Sequence, residues 1–157
     1  MKAATVHEIK KELNTLESTT LVELCLRLTR FKQDNKALLT YLLYESQDEK
    51  AFIQGVKAEL DEAMAELPVS QLYFYKKGLR RILRNLNKQI RYSGQPATEL
   101  ELRVYFLTGV RNSGVDLDKS PVLLNLYRQQ LRNAHKVMAK LPEDLQFDYQ
   151  ADLQRLE

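Results

Sequence analysis

Leucine dominates the apolar residues of this chain, whose 157 residues include 28 leucines against 13 isoleucines and valines together. Leucine favours helices, whereas β-branched residues favour strands. Apolar residues also recur at spacings of three and four, as in Phe52, Val56, Leu60, Ala63 and Leu67. This spacing is typical of a helix with one buried side, and no comparable alternating run is present. The sequence therefore predicts an all-α fold.

Capping residues place the ends of about eight helices. Three starts have the capping-box pattern, in which a Ser or Thr precedes Glu by three positions: Thr5 with Glu8, Ser46 with Glu49, and Thr98 with Glu101. Gly94 is suited to closing a helix, and Ser120-Pro121 to opening one. The predicted helices cover residues 5–16, 18–31, 34–45, 46–67, 70–92, 98–110, 120–141 and 142 to the last turn.

Short connections predict that successive helices are antiparallel neighbours. We expect stacked helical hairpins that form either a short α-α superhelix or a helical bundle, in a single domain over residues 1–157. Small residues at Gly55, Ala58 and Gly78 predict a close crossing of the fourth and fifth helices. The third helix has almost no polar face, so we expect it either at the centre of the fold, which we favour, or partly at an interface.

Positive charge is concentrated in two helices that contain no acidic residue. The formal net charge of the whole chain is only +3. At 100° per residue, the basic residues of each helix lie on one side and the leucines on the other. In the fifth helix they are Lys76, Lys77, Arg80, Arg81, Arg84, Lys88 and Arg91, and in the seventh Arg128, Arg132, Lys136 and Lys140.

These two stripes lead to two hypotheses. In the first, the chain is a non-catalytic interaction module whose basic surface binds an acidic protein or a nucleic acid without sequence specificity. Tyr73 lies on the same side of the fifth helix, where stacking on unpaired bases would use it. In the alternative, the chain is a structural homo-oligomer, such as a dimer, and the acids of the fourth helix neutralise the stripes internally: Glu59, Asp61, Glu62 and Glu66.

Catalytic and metal-binding patterns are missing from the sequence. His7 and His135 have no suitable neighbours, and Cys25, flanked by leucines, is expected to be a small buried apolar residue. No glycine-rich phosphate loop or membrane-spanning run is present. We therefore expect a cytoplasmic protein that is not an enzyme and has no cofactor, metal or membrane partner.

Overall fold

The structure is a computed structural model that describes residues 1–157. It contains eight α-helices and no strand, which confirms the all-α prediction. A π-helical segment, Tyr41–Glu45, follows the third helix, and a short 3₁₀ turn, Leu117–Lys119, precedes the seventh. The helices are α1 Val6–Leu13, α2 Ser18–Phe31, α3 Gln33–Thr40, α4 Glu49–Ala65, α5 Leu72–Ser93, α6 Pro96–Asn112, α7 Pro121–Met138 and α8 Glu143–Leu156.

Several helix ends follow the capping residues that the sequence indicated. The capping box of α1 is present, with the Thr5 amide donating to Glu8 at 2.7 Å and the Glu8 amide donating to Thr5 at 3.3 Å. Ser120 caps α7 ahead of the proline at its first turn. Gly94 ends α5 in the left-handed region at φ 65°, which costs glycine little.

Two predicted capping boxes are wrong because their residues make other contacts. Asp48 rather than Ser46 caps α4, accepting a hydrogen bond from the Ala51 amide at 3.0 Å. The Glu49 carboxylate instead accepts a hydrogen bond from the Thr98 hydroxyl at 2.6 Å. Thr98 is buried inside α6, which begins at Pro96. Glu49 and Thr98, which the sequence suggested as capping residues, therefore join α4 to α6 instead.

The chain divides into two compact units, Met1–Tyr44 and Glu45–Glu157. The single domain over residues 1–157 stays a prediction. In the first unit, α2 and α3 pack together, and the Asn35 side chain donates to the Leu28 carbonyl at 2.9 Å. None of α1, α2 and α3 contains a buried residue. Of the predicted third helix, residues 34–45, only Tyr41 is buried, so the prediction that this helix is central is wrong.

The core of the second unit is built around α6, which packs against α4, α5, α7 and α8. Consecutive helices also pack in pairs, α4 with α5 and α6 with α7, as in helical hairpins. The Tyr127 hydroxyl donates to the Leu156 carbonyl at 2.8 Å and fastens the end of α8 to α7. Apolar residues from all five helices form the core of the second unit, among them Val56, Leu79, Leu86, Leu100, Phe106, Leu107, Leu123 and Leu153.

The small residues do not create the crossing that the sequence suggested. Gly55 has open space where a Cβ would lie, and Ala58 is exposed. Gly78 lies directly against the Leu67 side chain. The close approach of two helices occurs instead at Gly109 of α6, where a Cβ would lie 2.6 Å from the sulfur of Met64 in α4.

Candidate functional site

Most of the basic side of α5 faces solvent. We call its seven cationic residues the basic face: Lys76, Lys77, Arg80, Arg81, Arg84, Lys88 and Arg91. All are exposed except Lys76 and Lys88, which are half-buried. The opposite side of the helix, with Leu79 at 0% and Leu86 at 1% exposure, is buried in the core. The core contacts thus hold the basic face outward.

The four acids of α4 and its C-terminal end that could neutralise this face form no ion pair with it: Glu59, Asp61, Glu62 and Glu66. No carboxylate oxygen lies within 4.0 Å of five of its cations: Lys77, Arg80, Arg81, Arg84 and Arg91. Asp61 instead accepts hydrogen bonds from the Tyr105 hydroxyl at 2.7 and 2.9 Å, which raises the pKa of that tyrosine. Since like charges on one helix repel, the basic face is a surface suited to an external anion.

A polar groove of about 460 Å³ lies between the C-terminal half of α5 and the beginning of α6. We call it the α5–α6 groove. Glu99 is the one acidic residue in its lining, and it is paired with Arg103. The groove therefore takes positive charge from Arg84 and Arg91, which have no carboxylate oxygen within 4.0 Å. The lining residues are Arg84, Asn87, Lys88, Ile90, Arg91, Glu99 and Arg103.

Arg103 fixes the floor of this groove, and only 8% of the residue is exposed. Its Nε and Nη2 donate to Glu99 Oε1 at 2.8 and 2.7 Å. Its Nη1 donates to Asn87 of α5 at 3.3 Å and to Gln130 of α7 at 2.8 Å. One side chain on α6 therefore connects α5 with α7 and holds the groove in shape.

Two further depressions continue along α5 on the side of α4. One, of about 360 Å³, has an apolar floor that includes Leu60 and Ile82, with Glu59 and Arg81 at its edge. The other, of about 260 Å³ beside Pro68, is lined by Phe74 and by the cations Lys77, Arg81 and Arg84, with the acid Glu66 on the α4 side. Arg81 borders both, and Arg84 also borders the α5–α6 groove. The basic face thus borders a series of three grooves.

Two exposed aromatic side chains extend the basic face at the N-terminal end of α5. Tyr73 is 66% and Phe74 is 55% exposed. Their ring centroids are 5.3 Å apart in an edge-to-face arrangement. The Lys76 ammonium lies 5.8 Å from the centroid of the Tyr73 ring. Aromatic rings and cations therefore lie side by side on one exposed surface.

The four cations predicted on α7 are exposed but line none of these grooves. They are Arg128, Arg132, Lys136 and Lys140. Arg132 donates to Gln129 at 2.7 Å on the same helix. Both α5 and α7 pack against α6. The site that the structure assembles therefore consists of the basic face of α5 together with Asn87, Glu99 and Arg103, which sequence analysis missed.

Neither the two histidines nor the cysteine belongs to a cluster of metal-ligating side chains. Cys25 is exposed, so the prediction that it is buried is wrong. His135 lies 3.3 Å from the Glu157 carboxylate. The structure contains no group of three or more His, Cys, Asp or Glu side chains that could hold a metal ion. None of the helices combines the length and the apolar character that crossing a membrane requires.

Comparison with known proteins gives no relative, since no protein-family model, curated protein or solved structure matches this chain.

Proposed function

We propose that this chain is a non-catalytic binding module that holds single-stranded nucleic acid on the basic face of α5, through charge and stacking rather than base sequence. One observation carries the proposal: five exposed cations of this face have no acidic partner in the chain. The same observation weighs against the alternative of a structural oligomer with internally paired charges.

The length of the basic face suits a short stretch of phosphates. Lys76 and Arg91 are fifteen residues apart on one helix, which corresponds to about 23 Å. Release of condensed counterions by such a row of cations is the main sequence-independent contribution to nucleic-acid binding. The α5–α6 groove, with Arg84 and Arg91 at its edge, would hold a phosphate at one end of the row.

The exposed aromatic pair supports a single strand rather than a duplex. Tyr73 and Phe74 offer ring faces at the other end of the basic face. Unpaired bases stack on such rings, and each stacked base contributes about 1–3 kcal/mol to binding. Bases in a duplex are already stacked on one another. We therefore expect single-stranded RNA or DNA to bind more tightly than duplex DNA.

Fluorescence anisotropy with labelled single-stranded and duplex oligonucleotides at 50 and 200 mM salt would test the proposal. If about four phosphates are contacted, affinity for the single strand should fall about 50-fold between these salt concentrations. Absence of binding at 50 mM salt would refute it.

Variants with reversed charge would test whether nucleic acid binds at the basic face. Replacement of Arg84 and Arg91 by Glu should abolish binding, because both side chains are exposed and unpaired at the α5–α6 groove. A matched control replaces Lys50 and Arg111 by Glu, two exposed residues outside the three grooves. The control changes the net charge equally and should keep most of the affinity. Equal loss in both variants would show that binding does not depend on this face.

The apolar groove beside α4 favours a second candidate ligand, an acidic amphipathic segment of another protein. Its floor includes Leu60 and Ile82, and Arg81 lies at its edge. Such a segment would place its apolar side on the floor and its acids against Arg81. A labelled acidic amphipathic helical peptide should then bind, and Arg81→Glu should weaken this binding at least tenfold while oligonucleotides do not compete.

A further inference from the structure

In the α5–α6 groove, cations from two helices line the same cavity. Arg84 and Arg91 are seven residues apart, so they lie on the same side of α5, about 10 Å from one another along its axis. Both are exposed, and neither has a carboxylate oxygen within 4.0 Å. Arg103 reaches the groove from α6 and is held in place by hydrogen bonds to Glu99 and Asn87. The cavity of about 460 Å³ is large enough for a ligand of the size of a nucleotide.

Hydrogen-bond donors predominate among the polar groups of this groove. Arginine carries five N–H groups and accepts no hydrogen bond. Arg103 uses four of them, two on Glu99 and one each on Asn87 and Gln130. Because the side-chain oxygen of Asn87 accepts one of these bonds, its amide nitrogen is left as a donor. The two exposed guanidinium groups of α5 add further donors, so the groove suits a ligand with several anionic oxygens.

The cationic row of α5 ends at this groove. In one direction along the helix, the basic face continues from Arg84 through Arg81 and Arg80 toward the N-terminal end. In the other direction, no charged residue follows Arg91 until Glu99, which is the acid in the lining of the groove. A strand bound to the basic face therefore has cations for its phosphates on one side of the groove only. On the other side, its next phosphate would meet a carboxylate.

We propose that the α5–α6 groove binds the terminal phosphate of a nucleic-acid strand. This inference rests on the proposed function and adds the position of the end of the strand. A phosphate monoester carries roughly −1.5 to −2 charges at pH 7 and three acceptor oxygens. A phosphodiester within the strand carries a single charge. The terminal group therefore gains more from Arg84 and Arg91, because the forked donors of a guanidinium match the oxygens of a phosphate.

Fluorescence anisotropy at about 50 mM salt would test the inference with one single-stranded oligonucleotide in three forms. The forms carry a 5′-phosphate, a 3′-phosphate, or hydroxyl groups at both ends, and the fluorophore is attached to an internal base so that both ends stay free. We expect at least one phosphorylated form to bind about tenfold or more tightly than the hydroxyl form. Equal affinity of all three forms would overturn the terminal site and leave the proposed function intact. Absence of binding by all three would refute both.

Two matched variants locate the terminal phosphate. Arg91→Gln removes one guanidinium from the groove and should lose most of the preference for the phosphorylated form. Arg80→Gln is the control, since it removes an equal charge from an exposed position of the basic face outside the three grooves. It should weaken all three forms alike and keep the preference. A preference that survives in Arg91→Gln, or that is lost equally in Arg80→Gln, would show that the groove does not hold the terminal phosphate. Circular dichroism of each variant confirms that its helices are intact.

Discussion

Arg103 joins three helices through the hydrogen bonds of one side chain. Its guanidinium joins Glu99 of α6 with Asn87 of α5 and Gln130 of α7. Arg103→Met keeps most of the volume but leaves a carboxylate and two amides without their partner. We expect the free energy of unfolding to fall by about 2–4 kcal/mol, at the lower end of the range for a broken buried pair because Glu99 is 27% exposed. Urea unfolding followed by circular dichroism measures it.

The control for this prediction is Arg111→Met, which removes an equal charge from an exposed position of the same helix. Its effect should stay within about 0.5 kcal/mol. If both variants lose the same stability, Arg103 acts only through the net charge of the chain. Arg103→Lys should recover little, because an ammonium cannot reproduce the forked geometry on three partners.

Tyr149 of α8 makes the stability of the chain sensitive to alkaline pH. Burial, followed by the charges of Glu101, Asp152 and Asp148, raises its pKa from an ordinary value of 10 to about 12. The folded state therefore holds this proton more tightly than the unfolded state does. The resulting stabilisation is fully present below pH 10 and is lost as pH rises through 12.

Tyr149→Phe should remove this contribution. We expect the variant to lose less stability than the native chain between pH 10 and 12, measured by urea unfolding at fixed pH values. Absorbance at 295 nm should show one tyrosine fewer ionising near pH 12. Tyr44→Phe, at a 74% exposed position, is the control and should keep the native pH dependence. Identical slopes for the native chain and Tyr149→Phe would contradict the assignment.

At the scale of the helix, substitutions at two glycines distinguish the effect of helix propensity on stability from the effect of packing. Gly55 lies within α4 with nothing near a Cβ, whereas a Cβ on Gly109 of α6 would lie 2.6 Å from the Met64 sulfur. Gly55→Ala should raise the free energy of unfolding by about 0.5–1 kcal/mol. Gly109→Ala should give less than this or destabilise, because the Met64 side chain must move. Thermal unfolding of the two variants compares them directly, and an equal gain in both would contradict the close contact.

Helices with one apolar and one charged side could be predicted from the sequence, and others could not. In α5, the spacing alone placed Leu79 in the core and Arg84 in solvent. An apolar run without an opposite charged side did not indicate whether the helix is central or exposed. Residues 34–45, which the sequence predicted as a central apolar helix, contain one buried residue, Tyr41, whereas α6 is buried on several sides although Glu99, Glu101 and Arg103 interrupt its apolar run. Which apolar helix is central depends on packing between helices distant in sequence, which local spacing does not report.

For the whole second unit, the sequence predicted the cations of the site but not the contacts between helices that position them. The basic face follows from the angular positions of seven residues on one helix. The α5–α6 groove also requires Asn87, Glu99 and Arg103, which meet only after α5, α6 and α7 have packed. The sequence signal was an arginine four residues after a glutamate within the apolar run of α6. That spacing also occurs in exposed helical ion pairs, so it did not distinguish a buried connection.

The two units should differ in the protection of their amides from hydrogen exchange, because only the second has an extensive core. Amides of α6 should exchange slowest, since its residues are buried against four neighbouring helices. Amides of α2 and α3 should exchange early, because none of the residues of these helices is buried. Exchange followed by mass spectrometry compares the two units, and α2 amides as slow as those of α6 would contradict this difference in stability.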